Sequence, residues 1–231
     1  MSSWAILRQV VIGTTTHEQD TAAVRAAFGL GTGFDDPELK EMNLVDATMP
    51  IAPGRYLEFV APVTPEGPVA SWLAKVGGRG GFVLSVQHPD AAAVRTRAAE
   101  LGVRVPIDML AFGRIVLQLH PKDVGLVLEV DGIDDPAVWF WDSIDPGPDP
   151  SAYVDDIVGV EVPVADPAAT AAQWRRLLDL PEPAEPTVLD LGGPTVRFVD
   201  GGPSSNWTVL LRRASASATD PGLPGITFRL V

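Results

Sequence analysis

The chain has 231 residues, 46% of them apolar and 20% charged, enough for one large domain or two small ones with a real core and too apolar for a disordered chain. Seventeen basic against thirty acidic side chains give a net charge of −13. This argues against a nucleic-acid or anionic-membrane partner, either of which would need a basic face. There is no cysteine, which rules out disulfides, thiolate nucleophiles and Cys-ligated zinc or iron–sulfur centres.

No apolar run approaches the ~20 residues of a membrane helix. The opening segment, Met1 to Ile12, lacks the basic, apolar and cleavage regions of a signal peptide. A soluble cytoplasmic protein is therefore expected. In chain order, Ile6 to Thr14 reads as a strand. Thr16-His-Glu-Gln19 follows with capping-box spacing, and a helix then carries Val24, Ala27 and Phe28 on one face until Gly29-Leu-Gly31 stops it. Strands follow at Glu41 to Met49 and Arg55 to Ala61, joined by Ala52-Pro-Gly54.

A second strand–helix unit starts at Phe82 to Gln87, with Pro89 suited to a first helical position and Val94, Ala98 and Leu101 as its buried stripe. Its later strands are expected at Val103 to Val105, Arg114 to Leu119 and Gly125 to Val130. A third unit opens at Ile157 to Val164, with Asp166 as cap, Pro167 in the first turn and Ala171, Trp174 and Leu178 on one face. Strands at Thr187 to Leu191, Thr195 to Val199 and Trp207 to Arg212 complete it, and a last strand, Gly225 to Val231, has no helix after it. The chain is thus a β-α-β-β-β unit used three times, which repeat analysis should settle first. Such a half-barrel cannot bury both faces alone, so units should pair. The expected division is two paired units in 1–133, a Pro/Asp/Trp-rich linker in 134–153 that includes Trp139-Phe140-Trp141, and the third unit with its extra strand in 154–231. The odd unit must pack on the first two or on its copy in a homodimer.

Polar residues at equivalent places of the repeat are the candidates for chemistry. Glu58, in Tyr56-Leu-Glu-Phe-Val60, and Glu129, in Leu126-Val-Leu-Glu-Val130, stand in closing strands of units one and two, and Gln9 lies in the opening strand of unit one. Two unpaired carboxylates about 4 Å apart repel by roughly 4 kcal/mol at an effective dielectric near 20. Three outcomes relieve that repulsion: a cation between them, a shared proton with one raised pKa, or separation into water. A shared proton would make the pair an acid/base for proton abstraction beside a carbonyl. The unexciting alternatives are a Glu58 on the solvent face, since a one-residue slip flips every side chain, and a purely structural Gln9.

The β-α-β-β-β repeat resembles the vicinal oxygen chelate superfamily, and Tyr56-Leu-Glu-Phe with Ser71-Trp-Leu-Ala and Gly80-Gly-Phe-Val-Leu-Ser-Val-Gln is similar to its glyoxalase-like domain family. His120-Pro-Lys-Asp123 before Val124-Gly-Leu-Val-Leu-Glu129 is similar to the closing hairpin of the superfamily's epimerases. The resemblance covers 5–131 well and 155–212 more loosely. It implies an α+β fold of repeated βαβββ modules, two paired into a half-open barrel plus a third module, of the glyoxalase/bleomycin-resistance type. It also implies a small-molecule ligand and a divalent metal held at Gln9, Glu58, Phe82 and Glu129. Phe82 stands where the pattern has histidine, so three oxygen ligands remain, for Mg²⁺, Mn²⁺ or Zn²⁺, and a metal-free site is the equal alternative. Ring cleavage at iron needs two His and a carboxylate and is not expected.

Further residues could touch a substrate: Arg55 and Arg114 at strand starts could receive a carboxylate or phosphate, and Trp72, His120 and Phe82 could line the pocket. Their plainer readings are solvated arginines, packing aromatics and a turn histidine. His17 reads as surface, His88 as a cap or loop residue, and unit three as structural. Two functions follow: a glyoxalase- or epimerase-type lyase or isomerase in which one Glu acts as base, or a metal-free binding and sequestration protein of the antibiotic-resistance type.

Overall fold

The computed structural model describes residues 4–142, 153–182, 184–201 and 205–231. The linker proline cluster at 145–150 lies outside these. Two sheets are formed. The first contains β1 (Ile6–Thr14), β2 (Leu44–Ala52), β3 (Arg55–Pro62), β4 (Arg79–His88), β5 (Ile107–Ala111), β6 (Arg114–Leu119) and β7 (Val127–Gly132), in the order β2-β3-β1-β4-β7-β6-β5. The second contains β8 (Val154–Val164), β9 (Val188–Asp190), β10 (Thr195–Asp200), β11 (Trp207–Arg213) and β12 (Ile226–Leu230), in the order β12-β11-β8-β10-β9.

Each unit's opening strand pairs parallel with its closing strand: β1 with β3, β4 with β7, and β8 with β10. The units then join antiparallel through their opening strands, β1 to β4. Unit one lacks a full third strand, and an isolated bridge from Phe34 to Thr48 stands in its place. In unit two the first strand after the helix is β5, not Val103–Val105, which is irregular.

The second sheet repeats this plan with one correction to the expected strand order. Trp207–Arg213 is not the closing strand of unit three. It runs antiparallel to β8, as β4 runs beside β1, and its own parallel partner is β12. β10 closes unit three, and β11 and β12 are the opening and closing strands of a curtailed fourth unit without helix or outer hairpin.

Helices α1 (His17–Phe28), α4 (Ala91–Glu100) and α6 (Pro167–Leu178) pack on the sheets, and the shorter α2 (Pro37–Glu41), α3 (Pro68–Val76) and α5 (Pro121–Val124) lie in connections. Asp90 and Asp166 cap α4 and α6, each accepting from a backbone N–H at 2.9 Å. Pro89 therefore precedes the cap instead of opening the helix. Thr16 makes no capping hydrogen bond. Its hydroxyl instead joins a network in which Arg79 grips the buried Asp20 carboxylate with two bonds of 2.6 Å.

Alternation along the strands sorts the first sheet's two faces. Val10, Ile12, Leu57, Phe59, Leu84, Val86, Leu128 and Val130 point into one core shared with α1, α4, α6 and the second sheet. The odd unit thus packs on the first two within one chain, and the sequence argument for a second copy loses its footing. Phe28 of α1 meets Phe228 of β12 edge-on at 5.3 Å, covering strands that have no helix of their own. His88 and Arg97 donate to the last carbonyls of α6, Leu178 at 3.1 Å and Leu177 at 2.6 Å, satisfying acceptors that a helix end leaves orphaned. Gly81 lets the two sheets touch, since a β-carbon there would lie 1.9 Å from the Trp207 ring. Among the described residues no helix is long and apolar enough to cross a membrane.

Candidate functional site

The other face of the first sheet, carrying Gln9, Val11, Glu58, Val60, Val83, Gln118, Glu129 and Asp131, lines a cavity of about 650 Å³. The pairing shows how the two acids are related. Val11 stands opposite Glu58 and Ser85 opposite Glu129, while Gln9 pairs with Ser85 and Val11 with Val83. A pseudo-two-fold axis through the β1–β4 pair therefore exchanges Glu58 with Glu129 and Gln9 with Val83. Phe82 is not the counterpart of Gln9. It is the extra residue of a β-bulge, mirrored on β1 by Arg8. It lines the cavity and packs on Trp72 at 4.7 Å.

Side-chain amides orient both acids. Gln9 Nε2 donates to Glu58 Oε2 at 2.6 Å, and Gln118 Nε2 donates to Glu129 Oε2 at 2.7 Å. The Trp141 indole N–H donates to Gln9 Oε1 at 3.2 Å, which fixes the amide's orientation. Ser85 donates to Asp131 Oδ2 at 2.5 Å. Asp131 and Gln118 were not singled out from the sequence, and Trp141 was noted there only as part of the Trp139–Trp141 aromatic cluster. Asp131 was within reach, two residues beyond Glu129 on the same strand face.

Burial raises the proton affinity of this group. Glu58 is held well above the ordinary carboxylate range by burial first and then by the charges of Asp46, Glu129 and Asp36, against the Gln9 hydrogen bond. Asp131 is likewise raised well above that range by burial and then by Glu129. Glu129 is raised by burial, opposed by Gln118 and Ser85. Asp46 is pushed up to about 7, mainly by burial. Each of these acids therefore holds its proton to higher pH than a solvated carboxyl does.

The donor set does not suit the divalent metal that the resemblance implied. The Gln9 oxygen accepts from Trp141, the bonded oxygens of Glu58 and Glu129 are turned to amides, and Val83 stands at the fourth place. Among the described residues no three His, Asp or Glu side chains converge as ligands.

Other expected contacts lie elsewhere. Arg55 is a strut between the sheets, bonded to Asp156 at 2.6 Å. His120 caps the single turn α5, accepting from the Lys122 N–H at 3.2 Å, and does not line the cavity. Trp72 backs Phe82 from α3 without lining it. Arg114 lines a second cavity of about 670 Å³ whose wall is Phe34, Phe112 and Trp139 to Trp141. His17 is half-buried, not at the surface, and burial lowers its pKa.

The fold is that of the vicinal oxygen chelate superfamily, in glyoxalase-like βαβββ modules. No family model and no curated protein matches the chain. Among solved structures it is similar to a selenomethionine methylmalonyl-CoA epimerase (21% identity, TM-score 0.50, 58% of this chain and 99% of that one). It is also similar to the methylmalonyl-CoA epimerases of Streptomyces coelicolor (22%, 0.48, 56% and 98%) and Mycobacterium tuberculosis (19%, 0.48, 55% and 86%). The first of these likenesses shows the fold, and it leaves over two-fifths of this chain without a counterpart.

Proposed function

We propose that the protein is a metal-free isomerase or epimerase that moves a proton at a carbon beside a carbonyl, with Glu58 and Glu129 as the exchanging pair. The observation that supports this reading is their relation by the pseudo-two-fold axis on one buried cavity, each with raised proton affinity and each oriented by an amide. One acid, ionised, takes the proton from carbon, and the other, protonated, returns one to carbon or donates to the developing enolate oxygen. Gln9 and Gln118 hold the carboxyls in place. Methylmalonyl-CoA, bound by one of the neighbours, carries a carboxylate next to the reacting carbon. The cavity here has Asp36, Glu38, Glu58, Glu66, Glu129 and Asp131 on its walls and, among the described residues, no basic side chain. The reacting end of the substrate is accordingly neutral, a ketone or ester in place of a carboxylated thioester.

Proton exchange in D₂O tests the reading. A panel of neutral β-ketoesters and α-hydroxyketones is incubated with chelator-treated protein, and the Cα–H signal is followed by NMR. Washout should fall by about a hundredfold or more in both Glu58→Gln and Glu129→Gln, the usual scale of general acid–base catalysis. Binding without washout would favour sequestration. Washout that returns only with added Mg²⁺ or Mn²⁺ would restore the metal.

A further inference from the structure

The second cavity lies beside the first, and Phe112, Phe140 and Trp141 line both. Its walls are aromatic and its electrostatics are opposite. Arg114 is the one basic side chain on either cavity, and it makes no hydrogen bond or ion pair among the described residues. Trp139, 3% exposed, carries an indole N–H buried without an acceptor. Behind Trp139 sits the buried Arg8 guanidinium, 5.5 Å from the ring. Its hydrogen-bond acceptors are the neutral oxygens of Gln87, Gly54 and Pro136. The acid of the strap, Asp142, accepts from the Trp139 backbone N–H. Phe112 adopts a left-handed φ of 49°, and it leans on Phe140 and Trp141 at 5.9 and 5.5 Å. A non-glycine residue in that region is uncommon and needs surrounding contacts to hold it.

We infer that this second cavity is the binding site for a flat aromatic anion, with the ring between Phe34, Phe112 and the 139–141 strap and the anionic oxygens on Arg114. The neighbouring acidic hollow repels negative charge and the outer one attracts it, so a single elongated ligand has one orientation in the pair. That assignment as one substrate rests on the function proposed above, whereas the anion site itself does not. The ligand class follows as a neutral carbonyl head joined to an aromatic or heteroaromatic carboxylate or phosphate tail.

Calorimetric binding separates the two statements, because it needs no turnover. The probes are 2-naphthoate, its neutral amide and 2-naphthylmethylammonium, titrated into wild type, Arg114→Gln and Arg114→Lys. The anion should bind more tightly than the amide, and the cation least. Loss of a charge-assisted contact should weaken naphthoate about tenfold or more in Arg114→Gln. Arg114→Lys should keep part of the affinity, and the amide should be indifferent to both changes. Arg114 bonds to nothing that the fold needs, and equal melting temperatures check this. Equal naphthoate affinity in Arg114→Gln, binding of the cation as tight as the anion, or no naphthoate binding at millimolar concentration would each overturn the site. If naphthoate binds as described while no carbonyl exchanges its proton, the anion site stands and the proposed reaction falls.

Discussion

Replacing Asp46 by Asn puts a number on the acidity of a buried β2 carboxyl whose charge bears on Glu58. Asp46 is 5% exposed on β2, and its Oδ1 accepts the Asp36 N–H at 2.8 Å. Burial pushes its pKa from 3.8 to about 7. The folded value lies above the unfolded one, so the native protein holds more protons than the unfolded chain between about pH 4 and pH 7. The stabilisation is complete below the unfolded pKa, fades as pH rises through the folded value, and is gone above it. A shift of about 3 units at 1.36 kcal/mol each makes this loss about 4 kcal/mol. Asn keeps the shape and the Oδ1 acceptor but never ionises. Asp46→Asn should therefore match wild type near pH 4 and exceed it by up to about 4 kcal/mol at pH 8. Glu58, Glu129 and Asp131 shift in the same direction, so some decline with pH remains in the variant. Urea midpoints across pH 4.5 to 8 give both curves. If the two run parallel, or if Asp46→Asn is the less stable at pH 8, the reasoning about a dry, unpaired carboxyl is wrong.

Two further substitutions probe how the sheets are held. Gly81→Ala would drive a β-carbon to 1.9 Å from the Trp207 ring; urea denaturation should show a loss of about 1–3 kcal/mol or more from overpacking, and a neutral result would mean the sheets do not meet there. Arg79→Met leaves the Asp20 carboxylate, 1% exposed, without its cation, a loss of about 3–5 kcal/mol. Adding Asp20→Asn should recover most of it, and a double variant no more stable than Arg79→Met would contradict the pairing.

Helices and their faces were legible because their signals are local. Val24, Ala27 and Phe28, then Ala171, Trp174 and Leu178, are buried where a 3.6-residue period puts them, and Asp166 and Gly29 mark real helix ends. What failed depends on pairing. The bulge at Phe82 adds a residue that separation along the chain cannot reveal, so the counterpart of Gln9 came out one place early. β11 resembles a closing strand in its sequence and differs in the edge of β8 it joins and in running antiparallel to it. Gln118 reaches Glu129 across 11 residues of chain and Trp141 reaches Gln9 across 132, distances at which no spacing rule operates. Glu58 was legible as unusual because a carboxylate in Tyr-Leu-Glu-Phe-Val faces either a cavity or water, and burial on the cavity face decided between them.

The second sheet carries the same two positions in a different setting. By the same register, Arg197 stands opposite Glu161 where Glu58 stands opposite Val11, and Arg229 stands opposite Leu210 where Glu129 stands opposite Ser85. Both positions that are acids in the first sheet are arginines in the second. Their side chains are 40% and 51% exposed, and they bind Glu185 and Glu161 at 2.7 and 2.9 Å. The difference lies in what surrounds them. β4 and β7 are linked through residues 89–126, which supply a helix and the outer hairpin that walls the cavity, whereas β11 and β12 are joined only by residues 214–225. Without that hairpin the face stays wet, and charges there need no shared proton or special pKa. The acids of the first sheet owe their chemistry less to their identity than to the β5–β6 wall and the Trp139–Trp141 strap that help to enclose their cavity.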